Sequence, residues 1–199
     1  MKALIIVDTQ IDFCEGGPLE SKGTDAMIQH INSLIISDRY SCVILTRDWH
    51  PKHHLNFASN HKDIEPFTEV KGQWFWPDHC VQYTAGAQFH PDLRWEWAED
   101  AHVFTKGENP TKHPFSGFEG RKLGQKLWTF LFQRGIKEID VVGLALEYCV
   151  KETALDGIKE NLTTNLLMSG TRAVDPSTVD GVITELREAG VIIHTGDAQ

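Results

Sequence analysis

Residues 139–160 read IDVVGLALEYCVKETALDGIKE. A short β-branched apolar run, Ile139–Val142, ends at Gly143 in a turn, and a helical pattern follows from Cys149 to Glu160. The same succession recurs on either side of it. Further strands are expected at Ala3–Val7, Cys42–Thr46, His102–Thr105, Asn165–Met168 and Val191–His194. Helices are expected at about Thr24–Ile36, Gly117–Arg134 and Ser177–Ala189. Asp175-Pro176-Ser177 supplies a cap and a first-turn proline to the last of these, and Gly135 and Gly190 follow helical patterns as C-terminal glycines do. Alternating strands and helices predict an α/β fold with a mainly parallel sheet covered on both faces through right-handed crossovers.

The chain has 199 residues, 41% hydrophobic and 24% charged. That length suits one domain spanning 1–199, since single cores stop growing only above roughly 250–300 residues. A net charge of -9 speaks against nucleic acid as a partner. No apolar run approaches the roughly 20 residues that span a bilayer, so no membrane partner is expected. Asp8 and Asp12 interrupt the apolar N-terminal run and no small-residue cleavage site follows, which points to a cytoplasmic protein. Cys14, Cys42, Cys80 and Cys149 are scattered without a paired motif, so no disulfide framework is expected. Oligomeric state leaves no mark in the sequence.

The polar residues fall at telling places. Asp8 follows the first apolar strand, Asp48 the second, Lys106 the third and the turn 143–149 the fourth. In an open parallel sheet these points share the carboxyl edge, where ligands bind. Each alone has an ordinary reading as a turn, cap or packing residue. Cys149 at a helix start is a candidate nucleophile, because the helix dipole lowers a thiol pKa there. The turn Leu144–Cys149 offers backbone N–H groups to an oxyanion. Asp8 is the candidate base and Lys106 its cationic partner.

Ten histidines are present, and five of them fall between His50 and His79. Asp48, His50 and His79, with His54 or His53, form a donor set suited to Zn²⁺, Fe²⁺ or Mn²⁺; the ordinary reading is a solvated polar loop. The stretch 48–93 lacks periodicity yet holds Trp49, Phe57, Phe67, Trp74, Phe75 and Trp76. It reads as an ordered excursion that builds a site above the sheet.

Taken in order, VDTQIDFCEGG, TRDWHPKHH, WPDHCVQYTAGAQFHPDL, FTKG, SGFEG and VVGLALEYCV resemble the nicotinamidase/pyrazinamidase branch of the isochorismatase-like cysteine hydrolases. The resemblance covers nearly the whole chain. It implies a three-layer αβα fold on a six-stranded, mainly parallel sheet. It also implies an amidohydrolase that turns nicotinamide (or pyrazinamide) into the acid and ammonia through a cysteine thioester, in NAD salvage. The implied triad is Asp8, Lys106 and Cys149. The implied metal ligands are Asp48, His50, His54 and His79, holding one divalent ion, zinc first and iron or manganese as alternatives, that coordinates the pyridine nitrogen of the substrate. Phe13 and Trp76 match the residues that sandwich the ring, with Leu144 and Tyr148 as further contacts to a small aryl amide. Ala145 and Cys149 match the oxyanion hole, with a cis peptide between Leu144 and Ala145. The sequence departs from the family's usual Thr-Asp at Leu146 and Glu147, and in the segment ENPTKHPF, which is expected to form pocket wall. Competing readings are an amidase for carbamoyl or ureido compounds, which generally lacks the metal set, and a silent ligand-binding protein, whose only support is Leu146 and Glu147.

Overall fold

A computed structural model describes residues 1–196. Ten strands and four α-helices follow in order: β1 (Lys2–Val7), α1 (Thr24–Ile35), β2 (Cys42–Asp48), β3 (Thr68–Val70), β4 (Gln73–Phe75) and β5 (Ala101–Lys106). Then come β6 (Arg121–Lys122), β7 (Gln125–Lys126), α2 (Leu127–Gln133), β8 (Glu138–Gly143), α3 (Lys151–Lys159), β9 (Thr163–Thr171), α4 (Val179–Glu188) and β10 (Ile192–His194). The main sheet runs β10-β9-β8-β1-β2-β5-β6-β7. Its first six strands pair in parallel, and β6 and β7 add an antiparallel hairpin at one edge. The expected six-stranded sheet is therefore an eight-stranded one, a parallel core of six with two short strands added.

That hairpin corrects the helix expected over 117–134. Leu123 and Gly124 both take positive φ between Lys122 and Gln125, the geometry of a tight two-residue turn, and the helix proper begins only at Leu127. The apolar period of Leu127, Phe130 and Leu131 is real, but it does not reach back through this turn.

The period of two along β1 divides the core. Leu4 and Ile6 face α1, whose Met27, Ile28, Ile31 and Leu34 form one apolar stripe. Ala3, Ile5 and Val7 face the opposite layer, with Leu131 of α2, Ala154 of α3 and Leu186 of α4. Helices cover both faces, giving the three-layer αβα arrangement. No helix among the described residues is long and apolar enough to cross a membrane. The four cysteines are buried and free.

The chain proceeds outward from β1 to β2 and β5, then returns to place β8 on the other side of β1. This reversal opens a crevice at the carboxyl ends of β1 and β8. Gly143 closes β8 there with φ +113°, and a Cβ at this position would lie 2.1 Å from the Val7 carbonyl oxygen. Neither the backbone angle nor the space admits a side chain. Gly143→Ala is expected to destabilise the fold by about 2–5 kcal/mol in urea unfolding. A loss below about 0.5 kcal/mol, the range of an ordinary surface change, would show that the crevice tolerates a wider strand end.

Candidate active site

Three strand ends and one turn meet in this crevice. Asp48 and Lys106 are register partners at the ends of β2 and β5. Lys106 Nζ donates to Asp48 Oδ1 at 2.5 Å and to the Pro114 carbonyl at 3.2 Å, and lies 2.9 Å from Asp8 Oδ2 and 3.4 Å from Cys149 Sγ. Asp8 Oδ1 accepts from the Thr46 hydroxyl at 2.7 Å. Asp8, Asp48, Lys106 and Cys149 are all buried.

Burial raises the Asp8 carboxyl above its ordinary range, and Lys106 offsets this only in part. At Asp48 burial again pushes upward most strongly, but the Lys106 ammonium and the neighbouring His50 together hold the group well below the usual carboxylate range. Burial opposes the charge on Lys106, yet Asp48 and Asp8 keep its pKa well above the ordinary lysine value. Burial raises the Cys149 thiol well above 9.0 against the pull of Lys106. Cys149 lies in a π-helical turn, Leu146–Val150, ahead of α3, and its burial opposes the lowering of the thiol pKa expected from a helix start.

The peptide between Leu144 and Ala145 is cis. In the turn that follows, Leu146 N–H donates to the Arg172 carbonyl at 2.9 Å, and Tyr148 and Val150 N–H both donate to the Ala145 carbonyl at 3.1 Å. The N–H groups of Ala145, Glu147 and Cys149 take no part in these bonds. Leu146 is core. Glu147 accepts from the N–H of Asp175 at 2.8 Å and of Val174 at 3.3 Å, so its carboxylate fixes the loop into α4. Thr153 takes the Gly117 N–H at 2.8 Å and donates to the Cys149 carbonyl at 2.6 Å, binding the turn that holds Cys149 to the loop after Lys106.

Phe13, Trp76, Phe115, Tyr148 and His79 line a pocket that ends on Asp48 and Cys149. Trp76 meets Tyr148 edge-on at 5.3 Å, and Phe115 stacks on Tyr148 at 5.9 Å. Leu144, expected at the substrate, is instead fully buried in the core beside β1 and does not line this pocket. A larger neighbouring cleft of about 520 Å³ shares Leu19 and Val174 with it but holds neither nucleophile nor ligand cluster.

Beside the triad, Asp48 Oδ2 lies 3.5 Å from His50 Nε2. His50 turns Nδ1 to the Gly107 carbonyl at 3.1 Å, which makes that nitrogen the donor and leaves a lone pair on Nε2. Two buried acceptors then face each other, and neither has a hydrogen-bond partner. That arrangement is costly unless a cation joins them. His79 likewise uses Nδ1 on the Pro77 carbonyl at 2.8 Å, and burial pushes its pKa down to about 3, so it is a neutral imidazole. The donor set fits a divalent metal ion. His54 lies close by, with its ring centroid 4.5 Å from that of His50. Both its nitrogens are already engaged, Nε2 with the Lys112 carbonyl at 2.9 Å and Nδ1 with the Asn56 N–H at 3.2 Å. His53 is exposed.

Sequence reasoning missed three residues here. Gln10 clamps Asp48 through its backbone, accepting from Asp48 N–H and donating to Asp48 carbonyl, each at 2.7 Å. The signal available was a polar residue two positions beyond the end of an apolar strand. The other two are His113 and Phe115, inside a segment expected only to form wall; His113 brings one ring nitrogen into a cluster with one from each of His50 and His79, all within 4.8 Å of one another.

Comparison with known proteins agrees with this geometry. Residues 2–198 match the isochorismatase domain model. The nicotinamidase of Escherichia coli is 40% identical over 204 residues, covering 98% of this chain and 94% of the relative. The yeast nicotinamidase bound to the inhibitor nicotinaldehyde superposes with TM-score 0.86 at 30% identity, covering 98% of this chain and 100% of the other. The pyrazinamidase of Pyrococcus horikoshii in complex with zinc gives TM-score 0.81 at 34% identity, covering 98% and 99%. From strand order to crevice to sequence, the chain belongs to the isochorismatase domain family.

Proposed function

We propose that this chain, acting as one hydrolase domain over 1–199, is an amidohydrolase that converts nicotinamide, and also pyrazinamide, to the free acid and ammonia. The observation that carries this reading is the buried cluster of Asp8, Lys106 and Cys149 at the floor of an aromatic pocket, 3.4 Å separating the ammonium from the sulfur. The named activities of the relatives support the substrate. Leu146 and Glu147 have structural work in the core and in the loop to α4, which removes the support for a silent protein.

Asp8 and Cys149 share one proton in the working state. As the amide settles between Phe13 and Trp76, the proton passes from sulfur to the Asp8 carboxylate and the sulfur attacks the carbonyl carbon. Lys106 stabilises the negative charge on whichever partner carries it. The oxygen that gains charge is received by the N–H groups of Ala145 and Cys149. Asp8 returns the proton to the departing nitrogen, ammonia leaves, and a thioester remains on Cys149. A water then attacks the thioester, Asp8 taking its proton, and release of the carboxylate restores the thiol. Asp48, His50 and His79 would hold the divalent metal, with zinc as the proposed ion. When bound, the metal supplies a Lewis acid for the ring nitrogen of the substrate.

Three outcomes are expected. Cys149→Ala lowers ammonia release from nicotinamide by at least about ten-thousand-fold while nicotinate binding persists in calorimetry; retained turnover would remove the nucleophile assignment. The pH profile follows the shared proton. Below the raised Asp8 pKa both groups are protonated and kcat/KM falls, so the acid limb lies above that of an ordinary carboxyl. The raised thiol and lysine values keep the profile flat through neutral pH, and an acid limb at an unperturbed carboxyl value would contradict the buried base. Finally, His50→Ala yields protein with substoichiometric metal by plasma emission and a raised KM; full metal content in that variant would displace the metal from this pocket.

A further inference from the structure

We propose that the fourth protein ligand of the divalent metal is His113, from the loop that follows Lys106, and that His54 stays outside the coordination sphere. This rests on the reading that Asp48, His50 and His79 hold the ion. Four observations carry it. Both ring nitrogens of His113 are buried without a hydrogen-bond partner, a state shared in this pocket by Asp48 Oδ2 and His50 Nε2. Ligand atoms of His50, His79 and His113 lie within 4.8 Å of one another. The His113 ring lies 27° from parallel with that of His50, at a centroid distance of 5.1 Å. It also lines the substrate pocket together with Asp48 and His79.

His54 shows the opposite pattern. To ligate, it would have to release the Lys112 carbonyl from Nε2 or the Asn56 N–H from Nδ1. The carbonyl that occupies it belongs to the residue just before His113, so the same loop that presents one imidazole engages the other. The loop is anchored on its far side as well, because the Pro114 carbonyl accepts from Lys106 Nζ at 3.2 Å. Lys112, His113 and Pro114 thus place one imidazole at the metal cluster while their flanking carbonyls hold His54 and the catalytic lysine.

The test is zinc binding to the full chain, stripped by chelator and reloaded, followed by competition with a chromophoric chelator. X-ray absorption at the zinc edge then counts coordinated imidazoles at saturation. His113→Ala is expected to weaken zinc binding by at least about ten-fold, the lower end of the effect of even outer-shell losses, and to show one imidazole fewer than the parent. His54→Ala is expected to keep the parent's imidazole count at saturating zinc, whatever it does to affinity. His113→Gln, which keeps bulk and polarity, serves as the second variant, and the circular dichroism and unfolding midpoint of each apo-protein check the fold. A parent count that survives loss of His113 and drops with loss of His54 overturns the proposal, as does a count indifferent to both. A parent chain that takes up no zinc overturns the metal reading and this one together. Zinc uptake indifferent to residue 113 overturns this one alone.

Discussion

The Lys106 ammonium is buried with two carboxylates and a thiol, and the rest of the site is arranged around that charge. Taking an ammonium out of water is expensive unless its partners are held in place, and removing one partner leaves the others uncompensated. Asp48 meets it as a neighbour across the β2–β5 ladder, and Asp8 meets it from the end of β1. Lys106 and His50 hold Asp48 well below the usual carboxylate range, whereas burial drives the Asp8 carboxyl above it. Two carboxylates on one ammonium are thereby set apart, and the proposed mechanism uses one as a fixed charge between the imidazoles and the lysine and the other as the group that exchanges a proton with sulfur.

Holding this cluster is a matter of backbone more than of side chains. Gln10 grips both backbone groups of Asp48, Thr46 binds Asp8, and Thr153 joins the Cys149 carbonyl to the loop at Gly117. Gly107 contributes from the metal side. Its carbonyl orients His50, and a Cβ there would lie 2.5 Å from that imidazole. The consecutive residues Lys106 and Gly107 therefore hold in turn the Asp8–Cys149 cluster and the imidazole of His50.

Much of this was legible in the sequence for a simple reason. Buried parallel strands are near-continuous apolar runs, so the charged residues just past each run mark the carboxyl edge. Asp8, Asp48 and Lys106 were visible in that way, and the turn before Cys149 by its glycine and the helix that follows. What was not legible depends on contacts distant in sequence. The helix expected from Gly117 failed because Leu123 and Gly124 turn the chain within an apolar period that Phe118 extends by coincidence. Leu144 was expected at the ligand through the family resemblance, but it faces the α1 layer. His113 stood alone in a segment without period, and only the folded loop shows which of the pocket's imidazoles have free lone pairs.

The excursion over 48–93 and the loop over 107–116 contribute most of the aromatic and imidazole lining, while the strand ends and the turn at 143–149 contribute Asp8, Lys106 and Cys149, the groups to which the proposed mechanism gives proton transfer and attack. Recognition and bond cleavage thus come from different classes of backbone, the first from irregular insertions and the second from the sheet. Insertions can lengthen, shorten or exchange residues without disturbing strand register, so this chassis is modular. A lineage could exchange one flat heterocycle for another by rewriting loops, and a designer could do the same, so long as the new loop still offers Lys106 the carbonyl that Pro114 supplies.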